Sequence, residues 1–114
     1  MSHRDPGKYL YDMLSSCDFL IAFTAGKTMA QYREDRAFRS AVERELQIIG
    51  EALLQLDRYY PDIAARVPDH LNIIGFRHVL VHGYHALNPV TVWNAIETKL
   101  VPLKAALEAL LAEQ

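Results

Sequence analysis

Apolar residues recur along most of this chain at the three- and four-residue spacing of amphipathic helices. Such spacing places side chains on one helix face, because each residue advances about 100° around the axis. The longest stripe lies between a capping signal at Asp35 and the helix-ending Pro61. It consists of Phe38, Val42, Leu46, Ile49, Leu53, Leu56 and Tyr60. These positions predict one long helix with a continuous buried face.

Capping and helix-breaking residues bound the other predicted helices. Asp or Asn before proline is typical of a helix start, and glycine suits the left-handed residue just past a helix end. These signals mark three further main helices: one from Asp5 and Pro6 to Gly26, one from Asp69 to Gly83, and one beginning at Asn88 and Pro89. The last helix is expected to kink at Pro102. Short helical turns are expected from Thr28 to Tyr32 and within residues 62–68.

No segment shows the period-two alternation and hairpin turns of β-strands. The pattern therefore predicts a single all-α domain over residues 1–114. Its expected architecture is an up-and-down helical bundle of about four main helices plus short helical turns.

Composition narrows the setting in which this bundle works. No run approaches the roughly 18 apolar residues of a membrane span, and the start lacks the apolar stretch of a secretory signal. The single Cys17 lies on the apolar face of the first helix, where core packing is expected. We therefore expect a soluble, cytoplasmic protein without membrane contact. A net charge of −2 argues against a broad nucleic-acid surface, so any polyanion contact must be local.

The candidate chemistry is concentrated in residues 77–84, which read Arg-His-Val-Leu-Val-His-Gly-Tyr. His78 and His82 are four residues apart and share a helix face. Arg77 and His82 are five apart and diverge by roughly 140° around one helix. A twofold axis beside the helix would bring second copies of both side chains within reach. This geometry favours a cleft at a dimer interface.

Imidazoles beside a permanent cation suit phosphodiester cleavage by an internal nucleophile. One imidazole takes the proton from an RNA 2′-hydroxyl, another acid protonates the leaving 5′-oxygen, and a guanidinium stabilises the charged transition state. Neither a metal nor a cofactor is required. The chain also shows no Ser or Cys nucleophile elbow, no Gly-rich phosphate loop and no paired acidic metal ligands.

The order of Arg77, His78, three further residues, His82, Gly83 and Tyr84 resembles the HEPN superfamily of ribonucleases. The whole chain is similar to the HepT toxins of HEPN/MNT toxin–antitoxin pairs, including residues 8–14, 48–52, 75–78 and 80–84. The resemblance implies an all-α homodimer whose catalytic residues, Arg77 and His82, meet in a cleft at the dimer interface. His78 occupies a position that is most often Asn, which implies an auxiliary or substrate-binding role.

Tyr84 matches the tyrosine to which a partner nucleotidyltransferase antitoxin attaches AMP in that family. The resemblance therefore implies a toxin of a type VII-like pair, silenced by AMPylation of Tyr84. An added phosphate near Arg77 would fill the cleft and repel an RNA backbone.

Several structural interpretations compete with these assignments. Arg77 can serve as an ion-pair anchor for Glu51, and His82 can merely complement a helix end. Gly50 inside the long helix suggests a close helix crossing. Tyr59 and Trp93 are expected in the core or an interface, His70 in a structural role and His85 in solvent. A basic run is expected on a solvated face, although it could instead guide RNA or contact an antitoxin. It consists of Arg33, Arg36, Arg39 and Arg44.

Two other classes of function remain open at this stage. His78 and His82, with His85, have the spacing of a transition-metal site, although no carboxylate or cysteine lies close in sequence. A non-catalytic helical adaptor would use the same helix only as an interface.

Overall fold

The computed structural model describes residues 4–114 apart from the side chain of Tyr84. Those residues form helices and contain no strand, which confirms the all-α prediction. The α-helices are α1 (Pro6–Thr24), α2 (Met29–Glu34), α3 (Arg36–Tyr59), α4 (Pro61–Ala64), α5 (His70–His82), α6 (Pro89–Thr98) and α7 (Leu100–Ala112). A single 3-10 turn, Tyr84–Ala86, follows α5. None of the described helices is long and apolar enough to cross a membrane.

Three of the predicted helix starts are capped by side chains. Thr28 forms a capping box with Gln31, in which each residue satisfies a backbone N–H of the other. The carboxylate of Asp35 accepts a hydrogen bond from Phe38 N at 3.0 Å. The amide oxygen of Asn88 accepts one from Val90 N at 2.9 Å. These bonds satisfy N–H groups that the first helical turn leaves without partners.

Two predicted helix boundaries on α5 have a different local geometry. Asp69 precedes α5, but its backbone is left-handed (φ 58°) and its side chain makes no cap. Its carboxylate instead lies 3.3 Å from Lys99 Nζ. Gly83 follows the helix with φ −116°, so the predicted left-handed conformation is wrong there. Gly26, which follows α1, does adopt it with φ 73°.

The sequence predicted one last helix with a kink at Pro102, but the structure has two helices. The break between them lies three residues before the proline. The break occurs at Lys99, between α6 and α7. Proline cannot donate to the carbonyl four residues before it, here that of Thr98, and its ring clashes with that carbonyl. Breaking at Lys99 removes the conflict, and Pro102 then lies in the first turn of α7, where proline is tolerated.

The core lies between α1, α3 and the α6–α7 pair. The α3 stripe is buried from Phe38 to Leu56, as predicted, while Tyr60 is only half-buried. One end of the bundle joins the start of α1 to the ends of α3 and α7. There Tyr60 Oη donates to Arg4 O at 3.2 Å, and a Cβ on Gly7 would touch Gln114. Helix α1 is therefore antiparallel to α3 and α7, which agrees with an up-and-down bundle.

Helix α5 lies outside this core and packs mainly on α3. Leu80 is its only buried residue, whereas Leu71 is 68% exposed. The helix that carries the sequence motif is thus attached along one side and open on the other.

Cys17 provides a direct test of the core. Its side chain is fully buried, and burial, with a smaller contribution from neighbouring Asp18, raises the pKa of its thiol to about 12. We expect the native protein not to react with a thiol reagent such as DTNB at pH 7, because the thiolate is the reactive form. Reaction should follow unfolding in urea. The matched control is Ser15→Cys on the exposed side of α1, which should react rapidly in the native state. Equal rates at both positions would contradict this placement.

Candidate active site

Helix α5 carries three of the four predicted site residues, Arg77, His78 and His82. Tyr84 follows in the 3-10 turn, and its side chain lies outside the described part of the structure. His82 is the last residue of the helix, where Gly83 N still bonds to Val79 O at 2.9 Å. The helical geometry assumed for the motif therefore holds from Arg77 through His82.

The Arg77 side chain lies at the contact between α5 and α3. Its Nη2 is 2.5 Å from Glu51 Oε2, so the ion pair considered from the sequence is present. The Arg77 side chain is 21% exposed and that of Glu51 46%, which places the pair at the edge of the helix contact. Solvent screening keeps the stabilisation by such a half-exposed pair at about 1 kcal/mol or less. The contact therefore matters more for the position of the guanidinium than for folding.

Arg77 Nε is buried and has no hydrogen-bond partner among the described residues. An unsatisfied buried donor costs about 1–3 kcal/mol, and more when it is charged. Unsatisfied polar groups of this kind are rare in native proteins. Here the arginine stem is held inside a helix contact at an energetic cost while its head reaches the surface.

Gly50 explains how the stem of Arg77 can lie so close to α3. A Cβ built on Gly50 would be 2.3 Å from Arg77 Cβ and 2.8 Å from its Cγ. No real Cβ tolerates contacts of that length, so the two helices could not approach as they do. The presence of Gly50 inside the long helix predicted a close helix crossing, and this prediction is confirmed. The stem of Arg77 occupies the space beside the glycine.

The two motif histidines form a pair on the open side of α5. The ring centroids of His78 and His82 are 4.9 Å apart with an interplanar angle of 53°, and both side chains are exposed. Exposed imidazoles one helical turn apart can receive or donate protons on the same ligand. The described residues contain no group of three or more His, Cys, Asp or Glu that could hold a metal ion. Among those residues the histidine pair has no third protein ligand of the kind a typical zinc site uses.

Arg77 and His82 are directed towards different sides of α5 within one chain. No hydrogen bond joins them among the described residues, and Arg77 pairs with α3 while His82 faces outwards. Their five-residue separation on a continuous helix explains this divergence. A single protomer therefore presents the cation and the imidazoles on different faces of α5.

The remaining sequence candidates lie away from this pair. Trp93 is buried against Tyr32 and Phe38, as expected for a core residue, while Tyr59 is 39% exposed. His70 is half-buried at the start of α5, and His85 is exposed in the 3-10 turn. The arginines of the basic run are exposed, apart from half-buried Arg39, whose Nη1 donates to Arg33 O at 2.6 Å. Their exposure fits a solvated face.

A groove of about 660 Å³ separates α5 from the α6–α7 pair, and the sequence analysis did not identify it. Its lining includes Leu46 and Ile49 of α3, Leu71 and Phe76 of α5, and Leu103 of α7. None of Arg77, His78 or His82 lines it. No sequence signal identified it, because apolar periodicity does not show which apolar residues of a helix, such as Leu71, stay exposed.

Comparison with known proteins identifies the class to which this helical site belongs. The family described as "Ribonuclease HepT-like" matches residues 13–110, so the chain belongs to the HepT-like ribonuclease family. Family membership identifies it as a nuclease that acts on RNA. The resemblance drawn from the residue 77–84 motif is thereby confirmed. No solved structure matches the chain significantly.

Curated relatives match over nearly their full length. The chain is 30% identical to "Putative RNase MJ1380" of Methanocaldococcus jannaschii, covering 95% of this chain and 98% of the relative. It is also 30% identical to "Putative RNase MJ0125" of the same organism, covering 99% and 97%. Identity to "Probable ribonuclease HepT" of Thermococcus cleftensis is 26%, with 96% of each chain covered.

Replacing Gly50 by alanine tests the α3–α5 contact, and the same replacement at Gly75 is the control. The two changes in unfolding free energy should have opposite signs. Gly50→Ala should lower the free energy of unfolding by about 1–2 kcal/mol. The added methyl group would clash with Arg77, and this destabilisation should exceed the stabilisation from alanine's higher helix propensity. Gly75→Ala, on α5, should raise it by about 0.5–1 kcal/mol, since a Cβ there meets nothing within 4 Å. Urea unfolding followed by circular dichroism measures both. A stabilised Gly50→Ala protein would contradict the close crossing.

Proposed function

We propose that this chain is the toxin of a type VII-like toxin–antitoxin pair and acts in the cytoplasm as a metal-independent endoribonuclease. Arg77 and His82 are the catalytic residues, and His78 assists them or binds the substrate. The observation that carries the proposal is the placement of Arg77 and two exposed histidines on one helix of a HepT-like ribonuclease. The closest alternative, a non-catalytic adaptor, would leave these side chains without a chemical task.

The active unit of this proposal is a homodimer. Within one chain Arg77 is held at α3, whereas His82 faces outwards from the other side of α5. The open side of α5 also exposes Leu71 and borders the apolar groove. A second copy docked on this side would cover apolar surface and bring its own Arg77 towards His82. Each cleft would then contain groups from both protomers.

The reaction proceeds without a covalent enzyme intermediate. His82 removes the proton from a 2′-hydroxyl, whose oxygen attacks the adjacent phosphorus and displaces the 5′-oxygen. A second acid, for which His78 is the nearest candidate, protonates that leaving oxygen. The Arg77 guanidinium stabilises the charge on the phosphorane-like transition state. The products are a 2′,3′-cyclic phosphate and a free 5′-hydroxyl.

Regulation takes place at Tyr84 in this proposal. A nucleotidyltransferase antitoxin transfers AMP from ATP to the Tyr84 hydroxyl and releases pyrophosphate. The support is positional, because the 3-10 turn Tyr84–Ala86 begins two residues after His82. A phosphodiester attached there adds negative charge and bulk beside the cleft, so an RNA backbone would be repelled.

Loss of either catalytic group should nearly abolish cleavage. Arg77→Ala and His82→Ala should each lower kcat on single-stranded RNA by about 10²- to 10³-fold, because each removes a transition-state interaction. Excess EDTA should leave wild-type activity intact. His85→Ala is the matched control, since His85 is an exposed histidine outside the motif. Wild-type toxicity and cleavage in both motif variants would rule out the assignment.

Mixing the two inactive variants tests whether the cleft is shared. Light scattering should give twice the 13.0 kDa chain mass. Reassorted Arg77→Ala and His82→Ala chains should recover about a quarter of wild-type activity, because half the dimers are mixed and each has one intact site. No recovery from a dimer with exchanging subunits would place Arg77 and His82 of each site in the same protomer.

Co-expression with the cognate nucleotidyltransferase tests the regulation. Intact-mass spectrometry should show one or more additions of AMP less water, localised to Tyr84, together with loss of cleavage. Tyr84→Phe should remain unmodified and toxic beside the antitoxin, whereas Tyr59→Phe, on a partly exposed tyrosine of α3, should still be neutralised. An unmodified Tyr84 in the neutralised pair would refute the mechanism.

A further inference from the structure

Glu51 is the one carboxylate in the described structure that contacts the predicted catalytic arginine, and the reaction proposed above gives it no role. It follows Gly50 directly in α3. These two consecutive residues therefore hold Arg77 at two points, with Gly50 beneath its Cβ and Cγ and Glu51 beside its Nη2.

This arrangement restricts the guanidinium in a way that an ordinary surface pair does not. The Arg77 stem cannot move closer to α3, because its Cβ and Cγ already occupy the space that a Cβ on Gly50 would need. Its Nε is buried and has no hydrogen-bond partner in the described part of the chain, so no bond seen there orients the guanidinium plane from that nitrogen. Glu51 is then the contact that sets the rotation of the plane. Because a guanidinium recognises phosphate through a planar set of donors, that rotation decides whether two of them can reach one phosphate.

The ion pair leaves enough of the guanidinium free for a substrate. Glu51 contacts the guanidinium as an ion pair through Nη2, and Nη1 makes no hydrogen bond among the described residues. Glu51 is 46% exposed and its partner 21%, so the pair lies at the surface where an RNA phosphate can approach. The carboxylate itself would repel that phosphate, which argues against direct substrate binding by Glu51.

We propose that Glu51 is a positioning residue for the reaction: it orients the Arg77 guanidinium so that the Nη1 donors face the scissile phosphate, and it does not touch the RNA. The inference rests on the proposed ribonuclease function and adds a residue to that site. Glu51 acts on the rate of the chemical step, because a misoriented guanidinium still attracts a polyanion but no longer matches the transition state.

Glu51→Gln tests this role with little change in shape. The expected result is a fall in kcat of about 10- to 100-fold with KM for RNA unchanged or lower, since the repelling charge is also lost. The matched control is Glu113→Gln, which breaks a different exposed Arg–Glu pair, that with Arg66, outside the motif. Its kcat should equal that of the wild type.

A spectroscopic measurement on the same variants separates this inference from the ribonuclease assignment. The arginine side-chain resonances of ¹⁵N-labelled protein report the motion of the Arg77 guanidinium, assigned by their loss in Arg77→Lys. Glu51→Gln should change the shift and increase the mobility of the Arg77 signals, whereas Glu113→Gln should affect only those of Arg66.

The outcomes distinguish the two claims. A fall in kcat together with altered Arg77 signals supports positioning. An unchanged kcat, a higher KM at unchanged kcat, or a lower kcat with unaltered Arg77 signals would each overturn it. A wild-type protein that cleaves no RNA refutes the proposed function instead, and the Arg77 signals then still decide whether Glu51 holds the guanidinium.

Discussion

The close approach of α3 and α5 at Gly50 is the constraint on which the candidate site depends. Because Gly50 has no Cβ, the stem of Arg77 fits against α3, and this contact sets the rotation of α5 about its axis. Once that rotation is set, helical geometry leaves His78 and His82 on the exposed side. A larger residue at position 50 would displace the whole helix, so the absence of one methyl group determines where the three candidate side chains point.

Helix α5 combines weak burial with a demanding position. Of its residues only Leu80 is buried, and the apolar groove separates the helix from the α6–α7 pair. A helix of this kind gains little stability from its own chain, since most helix stability in proteins comes from a packed apolar face. Covering this side with a second copy would stabilise the helix and complete the cleft together, so dimerisation and activity would be coupled.

The charged groups of the candidate site matter more than the net charge of the chain. The chain has a net charge of −2, and its exposed arginines on α2 and α3 lie on a solvated face. The candidate site instead places one guanidinium beside a carboxylate, and a pair of exposed histidines on another face of the same helix. Such a site would stabilise the transition state through the orientation of one donor more than through a large positive potential. A donor that is already oriented need not reorganise when charge develops on the substrate.

The sequence by itself determined what depends on neighbouring residues: the helices, most of their caps, the buried stripe of α3, and the spacing of Arg77, His82 and Tyr84 that identified the family. It was wrong about the cap at Asp69, whose carboxylate pairs with the distant Lys99, and it placed the break in the last helix at Pro102 when it lies three residues earlier. Only the tertiary structure decided that Arg77 faces Gly50 and Glu51, that the histidines face outwards, and that a groove opens beside them. The reason is physical: periodicity and capping act within a few residues, whereas a helix crossing depends on which side chains of distant segments fit together.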